Sequence, residues 1–92
     1  MYHYTDITPE IKQAIADALN DNINAKLIFI THMSNTPADD YLYLYIAERP
    51  NDEYIAGLAN TSGKEVGLYE NHYMCTFKEA MEITTEKIRY YL

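Results

Sequence analysis

One cysteine, three glycines and seven basic residues in a chain of 92 exclude several kinds of protein at once. Cys75, standing alone, cannot build an intramolecular disulfide framework or a multi-cysteine zinc site, and a lone thiol suits a reducing compartment. Gly57, Gly63 and Gly67 are the only glycines, and no Gly-Lys-Ser/Thr run follows them in the pattern of a phosphate-cradling loop. No apolar run approaches the roughly 20 residues that a membrane-crossing helix needs. The opening stretch "MYHYTDITPE" has neither the basic start nor the apolar centre of a signal peptide. The expected location is therefore cytoplasmic, in a cell or an infected host, where the triplet Asn60-Thr61-Ser62 has no glycosylation role.

The shortage of lysine and arginine is set against 14 acidic residues, for a net charge of -7. Binding duplex DNA or RNA requires cations to neutralise phosphates, so direct nucleic-acid binding is not expected. An anionic membrane surface is disfavoured on the same ground. A basic protein surface is the partner this charge suits, beyond its general effect of keeping a small domain dispersed.

The length is that of one domain, which buries about 60–65% of its unfolded surface. "TPEIKQAIADALND" announces a first helix: Thr8 as N-cap, Pro9 in the first turn, Glu10 suited to the dipole. Ile11, Ile15, Ala18 and Leu19 form its core stripe, and "NDNIN" ends it. "AKLIFITHMS" reads as a strand with Leu27, Phe29 and Met33 on one face and Ile28, Ile30 and His32 on the other. "YLYLYIAE" is the second strand, broken by Arg49-Pro50-Asn51-Asp52. "EYIAGLAN" and "EVGLYEN" flank "TSGK" as a third and fourth strand, with a short helix over residues 54–60 as the alternative to the third. Thr76 and Glu79 make a capping-box pattern. Phe77, Ala80, Met81, Thr84, Ile88 and Tyr91 then share one wide stripe of a last helix that runs to the C-terminus. The expected fold is α+β: a small two-layer domain with a helix, a three- or four-stranded antiparallel sheet and a C-terminal helix, both helices covering one face of the sheet. This order resembles that of double-stranded-RNA-binding domains in topology alone. Those domains carry a lysine cluster where this chain has Thr76-Phe77-Lys78-Glu79, so neither the family nor its activity is assigned.

Two surfaces stand out. In "DDYLYLYIAERP" strand alternation sends Tyr41, Tyr43 and Tyr45 to one face and Leu42, Leu44 and Ile46 to the other. If the leucine face meets the helices, the tyrosines form an adhesive ladder on the uncovered face, unless loops or the N-terminal Tyr2 and Tyr4 cover it. On the last helix Glu79, Glu82 and Glu86 lie within about 60° of one another, opposite the core stripe. Glu82 and Glu86 are like charges at i,i+4, which disfavours the helix slightly. Ile83 and Tyr90 flank them, off the core face. Carboxylates bordered by exposed apolar groups suit a basic, partly apolar partner.

His72-x-x-Cys75 has ligand-like spacing, with His32 or His3 as further candidates, but no second short-spaced pair joins it. His72 reads as a loop residue and Cys75 as a small buried hydrophobe. No orienting residue or oxyanion hole accompanies a Cys–His pair, so neither catalysis nor a metal or other cofactor is expected. Two readings of function follow. In the first, a small acidic binding protein occupies the basic surface of a larger protein, such as a nucleic-acid-binding nuclease, as phage anti-CRISPR and anti-restriction proteins do. In the second, a structural or regulatory homodimer joins through Tyr41, Tyr43 and Tyr45.

Overall fold

The computed structural model describes residues 7–32, 42–62 and 65–91. Helix α1 spans Pro9–Ile23. The Ile11 amide donates to Thr8 Oγ1 at 3.2 Å, which satisfies one of the amides that every helix start leaves unpaired. Asn24 closes the helix in the left-handed conformation (φ 50°), which asparagine tolerates better than most residues. Four strands follow: β1 (Lys26–His32), β2 (Leu42–Arg49), β3 (Glu53–Ser62) and β4 (Glu65–Cys75), and then helix α2 (Phe77–Tyr91). The strands form one antiparallel meander in the order β1-β2-β3-β4, so residues 54–60 are strand and not helix. The α+β class and the helix–sheet–helix order are as the sequence indicates, with four strands.

The layering is different. Ile15 and Leu19 of α1 pack with Tyr43, Tyr45 and Ala47 of β2 and Ile55 and Ala59 of β3. Ala80 of α2 packs with Ile46, Ala56 and Cys75, while Ile88 lies against Leu44 and Leu58. These sets occupy opposite faces of the same two strands, so the helices sandwich the sheet in three layers, and the two-layer expectation is corrected. The reason lies in the apolar content of the sheet. Both faces of β2 are apolar over residues 42–47, and each needs a cover.

β1 departs from simple alternation. Its register on β2 slips between Leu27 and Phe29, so Leu27 and Ile30 both join the α1 side while Phe29 pairs with Ile46. Such a bulge adds one residue and reverses the alternation beyond it. Phe29 and Leu27 therefore face opposite ways.

Two further bulges shape β4. Leu58 pairs with Tyr69, Ala56 with His72 and Tyr54 with Cys75. For each step of two residues along β3, β4 advances by three. Glu70 (φ 52°) and Met74 (φ 61°) occupy the left-handed region inside these bulges, and Tyr69, His72 and Cys75 consequently share the α2 side. The strand thus extends to Cys75, which makes His72 a strand residue and corrects its reading as a loop residue.

Candidate functional site

The tyrosine ladder is not a surface. Tyr45 is 0% exposed and Tyr43 is 4% exposed, both beneath α1. Tyr43 also meets the buried His32, its partner across the strands, with ring centroids 5.3 Å apart. Tyr41, Tyr2 and Tyr4 lie outside the described residues. Tyr45 stands opposite Gly57, and its hydroxyl reaches across the glycine to donate to Asn71 Oδ1 on β4. A Cβ at position 57 would collide with that oxygen and would come within 2.9 Å of the Tyr45 hydroxyl, so only glycine leaves room for the bond. Burial, with Tyr73 nearby, pushes the Tyr45 hydroxyl well above the ordinary tyrosine range. The expectation that Tyr43 and Tyr45 bind a partner is therefore overturned. An aromatic ring with a satisfied hydroxyl is core material when a helix lies over it.

The acidic helix face, in contrast, is solvent-facing. Glu79, Glu82 and Glu86 are all exposed, but they are not equivalent. The Thr76 amide donates to Glu79 Oε1 at 3.0 Å and the Glu79 amide donates to Thr76 Oγ1 at 3.1 Å, a reciprocal cap on the start of α2. The Thr76 amide, and after it the Thr76 hydroxyl, hold the Glu79 carboxyl below the ordinary glutamate range. Glu79 is thus engaged within its own helix. Among the described residues Glu82 and Glu86 have no cationic partner.

Beside them lies a groove of about 420 Å³ between α2 and β4, lined by Ile83, Glu86, Lys87 and Tyr90 from the helix and Glu70 and His72 from the strand. The helical four recur at i, i+3, i+4 and i+7, one flank of α2. Tyr90 stands 83% exposed at one end. Ile83, expected off the core face, is instead half-buried against the core around Ile46 and Ala80 and forms the apolar floor, while Phe77 and Met81 of the expected core stripe are exposed, because the side of α2 that meets the sheet is turned towards Ile83. Lys87 Nζ lies 3.8 Å from Glu70 Oε1 and ties the rim of the groove together. Of the residues singled out by sequence, Ile83, Glu86 and Tyr90 come together here, with Glu82 on the adjoining surface of α2. Lys87 and Glu70 were not singled out for this site, and His72 was considered only as a metal ligand or loop residue. Helical spacing from Ile83 could have found Lys87. Nothing in the pattern of β4 announces bulges at a glutamate and a methionine, so nothing in it placed Glu70 and His72 beside α2.

Cys75 is buried, and its thiol donates to the His72 carbonyl oxygen at 3.4 Å. Burial, reinforced by the Glu79 charge, pushes the thiol pKa up, which favours the protonated and less nucleophilic form. Among the described residues no three His, Cys, Asp or Glu side chains are placed to share a metal ion, and no helix is long and apolar enough to cross a membrane. The site is therefore an open, acid-flanked groove on a three-layer α+β scaffold. The chain matches no known protein family, no characterised protein and no solved structure.

Proposed function

We propose that this chain is a small acidic binding protein whose α2–β4 face occupies a basic surface of a larger protein, of the kind that holds nucleic acid. The target class we favour is a nucleic-acid-binding nuclease, and the mode of action is that of phage anti-CRISPR and anti-restriction proteins. One observation carries the reading. Glu82 and Glu86 are exposed and like-charged, and neither makes an ion pair among the described residues; Glu86 lines the groove with the apolar floor of Ile83 and the projecting ring of Tyr90, and Glu82 lies one turn before it on α2. A purely solvating face gains nothing from an unneutralised i,i+4 pair, whereas a docking face gains speed and orientation of encounter. Tyr90 would supply the desolvated anchor that slows release. The action is steric and electrostatic, and it calls for no bond-making residue and no cofactor.

The test compares the wild-type chain with the Glu82→Lys/Glu86→Lys variant, both verified as folded by circular dichroism. Each is used to capture proteins from a host lysate, and the captured protein is then purified and titrated. The expected outcome is a basic partner that duplex DNA displaces and that the variant binds about tenfold more weakly at low salt, with the difference shrinking as salt screens the charges. Equal affinity of the two chains for the partner would overturn the reading.

A further inference from the structure

The lining of the α2–β4 groove is out of charge balance. It holds two carboxylates, Glu70 and Glu86, against one ammonium, Lys87, with His72, Ile83 and Tyr90 completing it. Lys87 pairs with Glu70, so the unmatched charge is that of Glu86, which makes no ion pair among the described residues. Glu86 follows Ile83 by three positions and precedes Tyr90 by four, which sets its carboxylate between an apolar floor and an aromatic ring on one flank of α2. The exposure of Tyr90 leaves its ring open to a ligand arriving from solvent. Every residue of this lining is among those described.

We infer that the groove takes a single arginine side chain of the partner, its guanidinium paired with Glu86 and laid against the Tyr90 ring, its methylene stem on Ile83. The source of the arginine rests on the docking reading above, which this site deepens. Each part of the ligand has its match. One cation balances the one unpaired carboxylate. A planar guanidinium pairs with a carboxylate through two parallel N–H···O bonds, which an ammonium cannot do. The same plane stacks on an aromatic face when it lies within about 6 Å of the ring centre. Side chains four apart on a helix have Cβ atoms about 5–6 Å apart, so Glu86 and Tyr90 can engage one guanidinium together. The stem runs along Ile83 while the charged head stays at the open rim, and a groove of about 420 Å³ suits one long side chain. On a surface that holds nucleic acid, arginines pair with phosphates and stack on bases. Glu86 and Tyr90 offer a substitute for each, which would account for displacement by DNA.

The test is an NMR titration of the full chain with three blocked tripeptides, glycine on either side of arginine, lysine or citrulline. Amide shifts are followed at about 0.15 M salt, where exposed charges more than about 8 Å apart are largely screened. The arginine peptide is expected to bind saturably in the millimolar range and to move the amides of the lining residues. The lysine peptide should bind about threefold more weakly, and the citrulline peptide, of the same shape without the charge, not measurably. Glu86→Gln and Tyr90→Leu should each weaken the arginine peptide about threefold. Glu82→Gln removes a charge outside the lining and should leave its binding unchanged. Lys87→Met keeps a long stem and releases Glu70, so it should strengthen binding. Four outcomes would overturn the inference: no saturable shift at the groove, equal binding of the lysine or citrulline peptide, equal losses in Glu82→Gln and Glu86→Gln, or weaker binding to Lys87→Met. A DNA-displaceable partner together with a groove that ignores the arginine peptide would overturn this site alone. An arginine-selective groove in a chain that captures no basic partner would leave the site standing and overturn the docking reading.

Discussion

At the scale of single residues, the arrangement of Tyr45, Gly57 and Asn71 shows how a side chain that looks adhesive in sequence is consumed by the core. The ring fills the space above a glycine, and the hydroxyl finds its partner one strand further on. The three positions should be strongly coupled. Gly57→Ala is expected to cost about 1–3 kcal/mol, because the methyl group displaces Asn71 and Tyr45 together. Tyr45→Phe is expected to cost about 1–2 kcal/mol through the unsatisfied Asn71 oxygen. In the double variant the alanine should cost less than it does alone, since the hydroxyl it crowds is gone. Urea unfolding of the four proteins measures the coupling of positions 45 and 57, and strict additivity would mean that these two act independently.

At the scale of elements, β4 is the strand on which the site depends. Its bulges turn His72 towards α2 and let Cys75 deliver the chain to the helix start. The bulges hold non-glycine residues in the left-handed region, where a Cβ costs about 1–2 kcal/mol. Met74 is 76% exposed and contributes little packing. Met74→Gly is therefore expected to stabilise the protein by about 0.5–1 kcal/mol, after the greater unfolded-state freedom of glycine is subtracted. The midpoint of urea unfolding should rise with an unchanged slope, and a lowered midpoint would show that the methionine packs in a way its exposure conceals. α2 is defined just as locally at its start, by Thr76 and Glu79. Its buried Thr84 hydroxyl donates to the Ala80 carbonyl oxygen at 2.8 Å, which explains how a threonine sits in the core stripe without an unmet hydrogen bond.

At the scale of the whole molecule, the sandwich of the sheet between two helices decides which surfaces are free. With α1 on the tyrosine side, a substitution there is a stability change and not an interface change. Tyr43→Ser is expected to cost about 3–5 kcal/mol, a large part of the 5–15 kcal/mol typical of a domain. It should shift thermal unfolding downwards by many degrees while the folded fraction keeps its oligomeric state. A folded, unshifted Tyr43→Ser protein would mean that α1 does not cover that face. Among the described residues, exposed surface is left at the α2–β4 groove and on the acidic back of α2.

The sequence by itself determined the elements. Thr8, Pro9 and the Ile11/Ile15/Leu19 spacing define α1, Thr76 with Glu79 starts α2, and alternation over residues 42–47 makes β2. Each of these signals is local, acting within a turn of helix or a few residues of strand, and that is why it can be read without the fold. The same periodicity placed Ile83, Glu86 and Tyr90 on one flank of α2. Tertiary structure alone decided which face of the sheet each helix covers. Alternation shows that a strand has two apolar faces, but not what lies over either one. It also decided the register slips in β1 and β4, which follow from pairing with a neighbouring strand and from no propensity of Ile28, Glu70 or Met74. The fate of the tyrosines was settled there as well, because a ring with a hydroxyl serves equally at a surface or in a core, and only the helix lying above it chooses.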